Sequence, residues 1–261
     1  MTRCFDFTDA IVRRPGASVV GGLRAGHGPD PSLDGVLAEH AAYVAALEGA
    51  GVKVEVLGPL EDFPDAIFVE DPALVFPEAA IMLNPGAPSR AGEGALLRPA
   101  LAARFERVLD LPEGYADGGD VLAMGRRVFI GLSARTDRVG AAALAGLLQG
   151  LGYAPVIAET PREVLHLKTA SSLIDEETIL ATRALAQSGI FAGYRVIEVP
   201  AGEEAGANVL RLRDSLILSD RFPRIADLLG GHGAALARLA NAEIEKIDAG
   251  FTCMSLRWRG A

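Results

Sequence analysis

The chain has 261 residues, half of them hydrophobic and 23% charged, with 30 glycines, 15 prolines and a formal net charge of −9. This length and composition allow one large domain or two small ones with a real core, and they exclude a disordered chain. The acidic balance, with no basic run longer than two residues, excludes the usual nucleic-acid surface and favours cationic ligands. The N-terminal segment carries no apolar signal core, and two cysteines, Cys4 and Cys253, do not make a disulfide framework. The expectation is a cytoplasmic protein with reduced thiols.

In chain order, Ala17–Gly21 reads as a strand, Leu33–Gly49 as a helix and Val52–Leu57 as a strand. Leu33, Val36, Leu37, His40, Val44 and Leu47 share one face of that helix, and His40 on this stripe reads as a core histidine. A pattern of two short strands, a helix and a closing strand then repeats. Its first copy is Ala73–Phe76, Ala79–Leu83, a helix at Gly94–Phe105 and Val108–Leu111. The second is Val121–Met124, Val128–Gly131, a helix at Val139–Leu151 and Tyr153–Ala158. The helix, a glycine stop and the strand account for the uncharged stretch Val139–Ala158 without a membrane span. The third is Ser171–Ile174, Thr178–Ala181, a helix at Arg183–Phe191 and Arg195–Val199. The fourth is Asn208–Leu212, Leu216–Ser219, helices at Pro223–Leu229 and Ala234–Ala240, and Glu243–Ile247. The last strand, Cys253–Trp258, lacks a partner, and the N-terminal elements supply one. Five ββαβ units closed by joining the two ends predict a five-bladed α/β propeller, a single domain over residues 1–261. Closure removes exposed sheet edges.

Polar residues precede the first strand of several units. Asp65, Glu70 and Asp71 stand before the first, Asp117 before the second and His166 before the third, and the last unit begins at Cys253. Equivalent positions in a ring of repeats lie at the same end of the ring. A carboxylate cluster, a histidine and a cysteine then converge on one pocket, as a cysteine nucleophile with its base requires. Taken singly, each has a structural explanation. Cys253 would be a buried small hydrophobe, His166 a core histidine, and Asp117 a turn former before Gly118 and Gly119.

The segments FPDAIFVEDPALVF, NPGAPSR, DGGDVL, IGLSARTDRVGAAALA, LHLKT and EKIDAGFTCMSL, in that order, resemble the dimethylarginine dimethylaminohydrolases of the pentein superfamily. The resemblance spans Val12 to Trp258 and implies a five-bladed α/β propeller. It implies Cys253 as nucleophile, His166 as general acid and base, and Asp117 as the acid that holds the histidine. Asp71 and Glu70 match carboxylates that grip a guanidinium, and Asp65 matches a further substrate contact. Arg90 and Arg135 match arginines that face the substrate α-carboxylate. Leu23 and Ile247 stand where backbone carbonyls meet its α-amino group. Thr169 stands where many relatives have a serine. The implied reaction converts a methylated arginine and water to citrulline and an alkylamine through a thiouronium on Cys253, with no metal or organic cofactor. The implied partner is the small-molecule substrate, with neither nucleic acid nor membrane, and the assembly can be a homodimer. The alternatives are an arginine deiminase-like hydrolase, which shares the Cys253-Met254-Ser255 segment, and a non-catalytic binder of cationic amino acids.

Overall fold

A computed structural model describes residues 3–26 and 28–260 of the chain. The first strand, β1 (Asp9–Arg13), comes from an apolar run flanked by charges, and its Ala10–Arg13 are all buried. Ser32 then starts helix α1 (Leu33–Gly49): its hydroxyl accepts the Gly35 N–H at 3.4 Å, and Asp34 sits in the first turn. This helix buries Val36, His40, Tyr43 and Leu47 and returns the chain to β2 (Lys53–Leu57), which runs parallel to β1.

The same plan recurs four times. The next unit is β3 (Ala73–Phe76), β4 (Ala79–Met82), α2 (Glu93–Ala102) and β5 (Val108–Asp110). It is followed by β6 (Val121–Met124), β7 (Arg127–Leu132), α3 (Arg138–Gly150) and β8 (Ala154–Glu159). Then come β9 (Ser171–Leu173), β10 (Thr178–Ala181), α4 (Arg183–Gln187) and β11 (Arg195–Glu198). The last full unit is β12 (Leu210–Leu212), β13 (Ser215–Ser219), α5 (Pro223–Leu229) and β14 (Ala235–Leu239). In each, the first two strands form an antiparallel hairpin and the third joins in parallel across the helix. After α6 (Ala242–Glu245) the chain ends in β15 (Ser255–Trp258), which pairs antiparallel with β1, Leu256 opposite Ile11. Five three-stranded sheets result, one of them built from both ends of the chain.

The apolar core shows that the five sheets close into a ring. One cluster joins the β1 and β12 sheets through Ala10, Val12, Leu210 and Leu212. Another joins the β3 and β6 sheets, through Leu74, Ile81, Val121 and Ile130. A third joins β6 to β9 through Leu122, Phe129, Ile179 and Ala181. Ile174, Leu180, Leu216 and Leu218 join β9 to β12. Ile11, Leu256, Ala73 and Met82 join β15 to β3. Every sheet shares apolar side chains with two neighbours, and the helices add theirs to the same clusters, as with Tyr43 and Leu47 of α1 and Leu144 and Leu148 of α3.

Three expected elements differ. Ala17–Gly21 is a 3-10 turn rather than a strand, with Val20 exposed to 36%, and β1 lies before Pro15-Gly16 instead. Ala234–Ala240 is not a helix. Its Ala, Leu and Arg residues favour one, but β13 needs a parallel partner, and β14 supplies it with Leu236 opposite Leu216. Glu243–Ile247 is not a strand. The Glu39 carboxylate on α1 accepts the Glu243 and Ile244 N–H groups, each at 2.9 Å, and so caps α6 from outside. Cys253 also lies in the turn before the last strand, which begins at Ser255.

Candidate active site

The five segments that lead into the first strands meet at one end of the ring, and hydrogen bonds join them into a closed circle. Gly118 N–H donates to Asp71 O at 3.1 Å, and Leu167 N–H to Asp120 Oδ1 at 3.0 Å. Asn208 Nδ2 donates to Lys168 O at 2.8 Å and to Thr252 Oγ1 at 3.0 Å. Glu70 N–H closes the circle by donating to Cys253 O at 3.2 Å. Asp65, Glu70, Asp71, Asp117, His166 and Cys253 are all buried on these segments.

The Gly118-Gly119 pair is what lets the segments approach. A Cβ on Gly118 would lie 2.0 Å from Glu70 O, and one on Gly119 would lie 2.7 Å from His166 Nδ1. Only a residue without a side chain fits either place. Gly119 N–H also donates to Asp71 Oδ1 at 3.2 Å.

His166 Nε2 and Asp117 Oδ2 are 3.1 Å apart. The other oxygen of Asp117 accepts the Gly86 N–H at 2.7 Å, so both of its oxygens are fixed. Thr169 holds the histidine backbone from both sides: its hydroxyl donates to His166 O at 2.7 Å and accepts His166 N–H at 3.2 Å. Burial opposes charge on the ring, but the Asp117 bond and the nearby charges of Asp71 and Asp120 outweigh it, pushing its pKa up to about 9. Burial, with the charges of Glu70 and Asp71, pushes the Cys253 thiol up to about 12. The site at neutral pH therefore holds an imidazolium and a protonated thiol. Among the described residues, the His166 ring makes its hydrogen bond to Asp117 rather than to Cys253.

Asp71 and Arg90 form a buried ion pair through Oδ2 and Nη1. Although burial alone would raise it, the Arg90 charge and then the His166 charge hold the Asp71 carboxyl below its ordinary value. Arg90 also grips Glu93 with Nε at 2.7 Å and Nη2 at 2.6 Å, and Nη2 reaches Phe68 O at 2.9 Å and Asp65 O at 3.2 Å. Most of its donors are thus committed within the protein. Glu70 Oε1 takes Lys168 Nζ at 2.6 Å and Arg257 Nη2 at 3.1 Å, while its Oε2 is buried and has no partner among the described residues.

Asp65 Oδ1 accepts the Leu23 N–H at 2.9 Å, and its carboxyl, raised mainly by burial, is within the fields of Arg90 and Arg135. A Cβ on Gly22 would lie 3.2 Å from the Ile247 side chain and 3.3 Å from Asp65 Oδ1, which places Leu23, Ile247 and Asp65 together. The following loop is pinned again by Ala25 N–H to the Asp248 carboxylate. Arg135 is half-buried, on the loop after β7.

Oxygen and nitrogen atoms of Asp71, Asp117 and His166 lie within 4.8 Å of one another, close enough to hold a cation. Metal ligation needs a neutral imidazole. The Asp117 bond and the charges of Asp71 and Asp120 favour the protonated ring instead.

Several residues of this arrangement go beyond the expected set. Lys168 lies inside the LHLKT motif, and Asp120 ends the GGD motif. Asn208 occupies in the fourth unit the slot held elsewhere by Asp71, Asp117, His166 and Cys253, so the repeat itself points to it. Glu93 and Arg257 carry no such signal, because each reaches the site from outside these segments.

A family model described as arginine deiminase matches residues 58–204. An N(G),N(G)-dimethylarginine dimethylaminohydrolase of Pseudomonas aeruginosa is 32% identical over 97% of this chain and 100% of that protein. A Streptomyces coelicolor protein of the same name is 34% identical over 96% of each chain. Among solved structures, a cysteine-to-serine mutant of the Pseudomonas enzyme complexed with citrulline superposes with a TM-score of 0.94, over 97% of this chain and 100% of that one, at 32% identity. The N-terminal domain of ArgZ, a cyanobacterial arginine dihydrolase, shares the fold at 18% identity, with a TM-score of 0.86 over 97% of each chain.

Proposed function

The chain belongs to the dimethylarginine dimethylaminohydrolase family, within the reach of the arginine deiminase family model, and from that premise we propose that it hydrolyses Nω-methylated arginine to citrulline and methylamine or dimethylamine. The observation that carries this reading is the buried His166–Asp117 pair at the end of the ring that also holds Cys253 and the unpartnered Glu70 Oε2. A binder of cationic amino acids needs the carboxylates but neither an imidazolium nor a thiol.

The substrate guanidinium is a planar cation. Glu70 Oε2 and the remaining lone pairs of Asp71 would accept its N–H groups in charge-assisted bonds. Its arrival changes the thiol. The charges of Glu70 and Asp71 that hold Cys253 protonated become neutralised, and the cation itself favours the thiolate, whose proton passes to solvent. The thiolate attacks Cζ. The imidazolium of His166 gives its proton to the departing amine, and the C–N bond breaks. A thiouronium remains on Cys253. The neutral His166 then takes a proton from water, whose oxygen adds to the same carbon. Collapse breaks the C–S bond, releases citrulline and restores the thiolate. Asp117 keeps one imidazole nitrogen occupied and stabilises the charge in both steps.

At the other end of the substrate, Arg135 and the one uncommitted Nη1–H of Arg90 would bind the α-carboxylate. The backbone at Leu23 and Ile247, beside Asp65, would bind the α-amino group. The whole ring acts as one catalytic domain in this reading. Among the described residues no helix is long and apolar enough to cross a membrane. Both thiols are free, as a cytoplasmic setting requires, and a homodimer is the assembly to seek first by light scattering.

The test is a substrate panel assayed for both citrulline and released amine. Arginine, monomethylarginine, asymmetric and symmetric dimethylarginine and agmatine are compared. Dimethylamine release from asymmetric dimethylarginine, faster than ammonia release from arginine, is expected. The reverse order would make the protein an arginine deiminase.

A further inference from the structure

The ring encloses an axial cavity. The first strands of the sheets enclose a space of about 460 Å³ around the axis, reached from the hairpin turns at Pro77-Glu78 and Gly125-Arg126. Those turns lie at the strand ends remote from Asp117, His166 and Cys253. Glu70 and Lys168, ion-paired to each other on the catalytic segments, form part of its lining. Most of the wall is apolar, including Phe76, Leu122, Leu210 and Trp258.

One cation in that wall makes no ion pair among the described residues. Arg211, on β12, is exposed to only 7%, and its Nε and Nη1 are buried without any hydrogen-bond partner among the described residues. Its contact is with the Phe5 ring, 4.7 Å from Cζ, which offsets only part of the cost of burying a charge. The acids of the cavity are directed elsewhere. Asp6 is held by Arg3, Glu78 by Arg126, and Glu70 by Lys168 and Arg257; Glu176 is exposed. Arg3 adds a positive field at Arg211, and Asp214, Asp175 and Asp6 act on it only through smaller opposing fields.

We propose that this axial cavity is a binding site for a small amphipathic carboxylate, its head paired with Arg211 and its apolar body against the Phe76, Leu122 and Trp258 wall. A planar guanidinium is matched by the two oxygens of a carboxylate. An inorganic anion would satisfy the charge but leave the apolar volume unfilled. Its anchoring residue, Arg211, takes no part in the proposed hydrolysis.

Octanoate is the probe, titrated calorimetrically into the intact protein in low-chloride buffer, with acetate and octylammonium as controls. One octanoate is expected to bind per chain, at least about tenfold more tightly than either control. Arg211→Met, close in shape but uncharged, should weaken octanoate about tenfold or more while citrulline formation stays within about twofold of the parent. Its ligand-free melting temperature should not fall, since an unpaired buried charge has gone. Without any variant, octanoate should slow iodoacetamide alkylation of Cys4, which lines the cavity, and leave alkylation of Cys253 unchanged, both read by peptide mass spectrometry. Equal binding of octylammonium, undiminished binding by Arg211→Met, protection of Cys253 instead of Cys4, or no binding of octanoate would each overturn the proposal.

Discussion

Asp120 accepts the backbone N–H of Leu167 at 3.0 Å, and this bond fixes the segment that begins with His166. The other oxygen of Asp120 takes the hydroxyls of Ser133 at 2.6 Å and Thr136 at 2.7 Å. Thr136 in turn accepts the Asp117 N–H at 3.1 Å. One buried carboxylate therefore sets the positions of both members of the His166–Asp117 pair.

Asp120→Ala should strand the buried Leu167 N–H and Thr136 hydroxyl and the half-buried Ser133 hydroxyl. At about 1–3 kcal/mol each, a loss of at least about 3 kcal/mol in unfolding free energy is expected by urea titration. In the fraction that remains folded, kcat should fall more than KM rises, and the pH–rate profile should shift as the histidine loses its fixed partner. An unchanged profile with normal kcat would reduce Asp120 to a purely structural role.

Cys253→Ser should lower turnover by several orders of magnitude while substrate still binds, because the carboxylates and arginines remain. Acid quench of the parent enzyme during turnover should trap a covalent adduct, located by mass spectrometry on Cys253. Cys4→Ser should be nearly silent in this assay. An adduct on Cys4 would contradict the assignment.

Protonation of His166 should appear in stability as well as in rate. Its pKa is about 9 in the folded protein against about 6.5 for a free histidine, so the folded state binds the extra proton between these values. The stabilisation is complete below about pH 6.5 and disappears as pH rises through about 9. The Cys253 thiol, held protonated up to about 12, acts in the same direction above that window. Melting temperature should therefore decline from about pH 6.5 to 9, and His166→Asn should flatten the decline. An equally steep decline in the variant would assign the proton to another group.

Arg90 and Arg135 should separate in their effects. Arg135→Ala should leave the fold intact and raise KM about tenfold or more for amino-acid substrates, with agmatine, which lacks the α-carboxylate, much less affected. Arg90→Ala leaves Asp71 and Glu93 buried without their cation, and about 3–5 kcal/mol of stability should go with it. A fully stable Arg90→Ala protein that fails only in KM would place Arg90 among residues that act on substrate alone.

The repeat was legible because the ββαβ order survives in patterning even where residues differ. Leu33–Gly49, Ala73–Phe76, Val121–Met124, Thr178–Ala181 and Pro223–Leu229 keep their expected bounds, each closed by a clear turn or cap. The misread segments are those decided from a distance. Nothing local in ALARL announces that β13 needs a neighbour, and nothing in EIEKI announces the Glu39 carboxylate more than 200 residues earlier in the chain. In the site, the residues that introduce first strands were visible from the repeat. The environment of Arg90 was not, because the spacing of APSR says nothing of Glu93 closing over it.

The circle of hydrogen bonds at the catalytic end has a consequence for biosynthesis. Four of the five segments can be laid down as the ribosome proceeds, since each follows its predecessor in sequence. The fifth depends on β15 emerging and finding β1, from the opposite end of the chain. Only then does Cys253 O meet Glu70 N–H. A nascent chain can thus hold its histidine and acids in place while its thiol is still in the exit tunnel. Chemistry at the guanidinium has to wait for the final strand, so incomplete translation products should be inert toward substrate rather than weakly active.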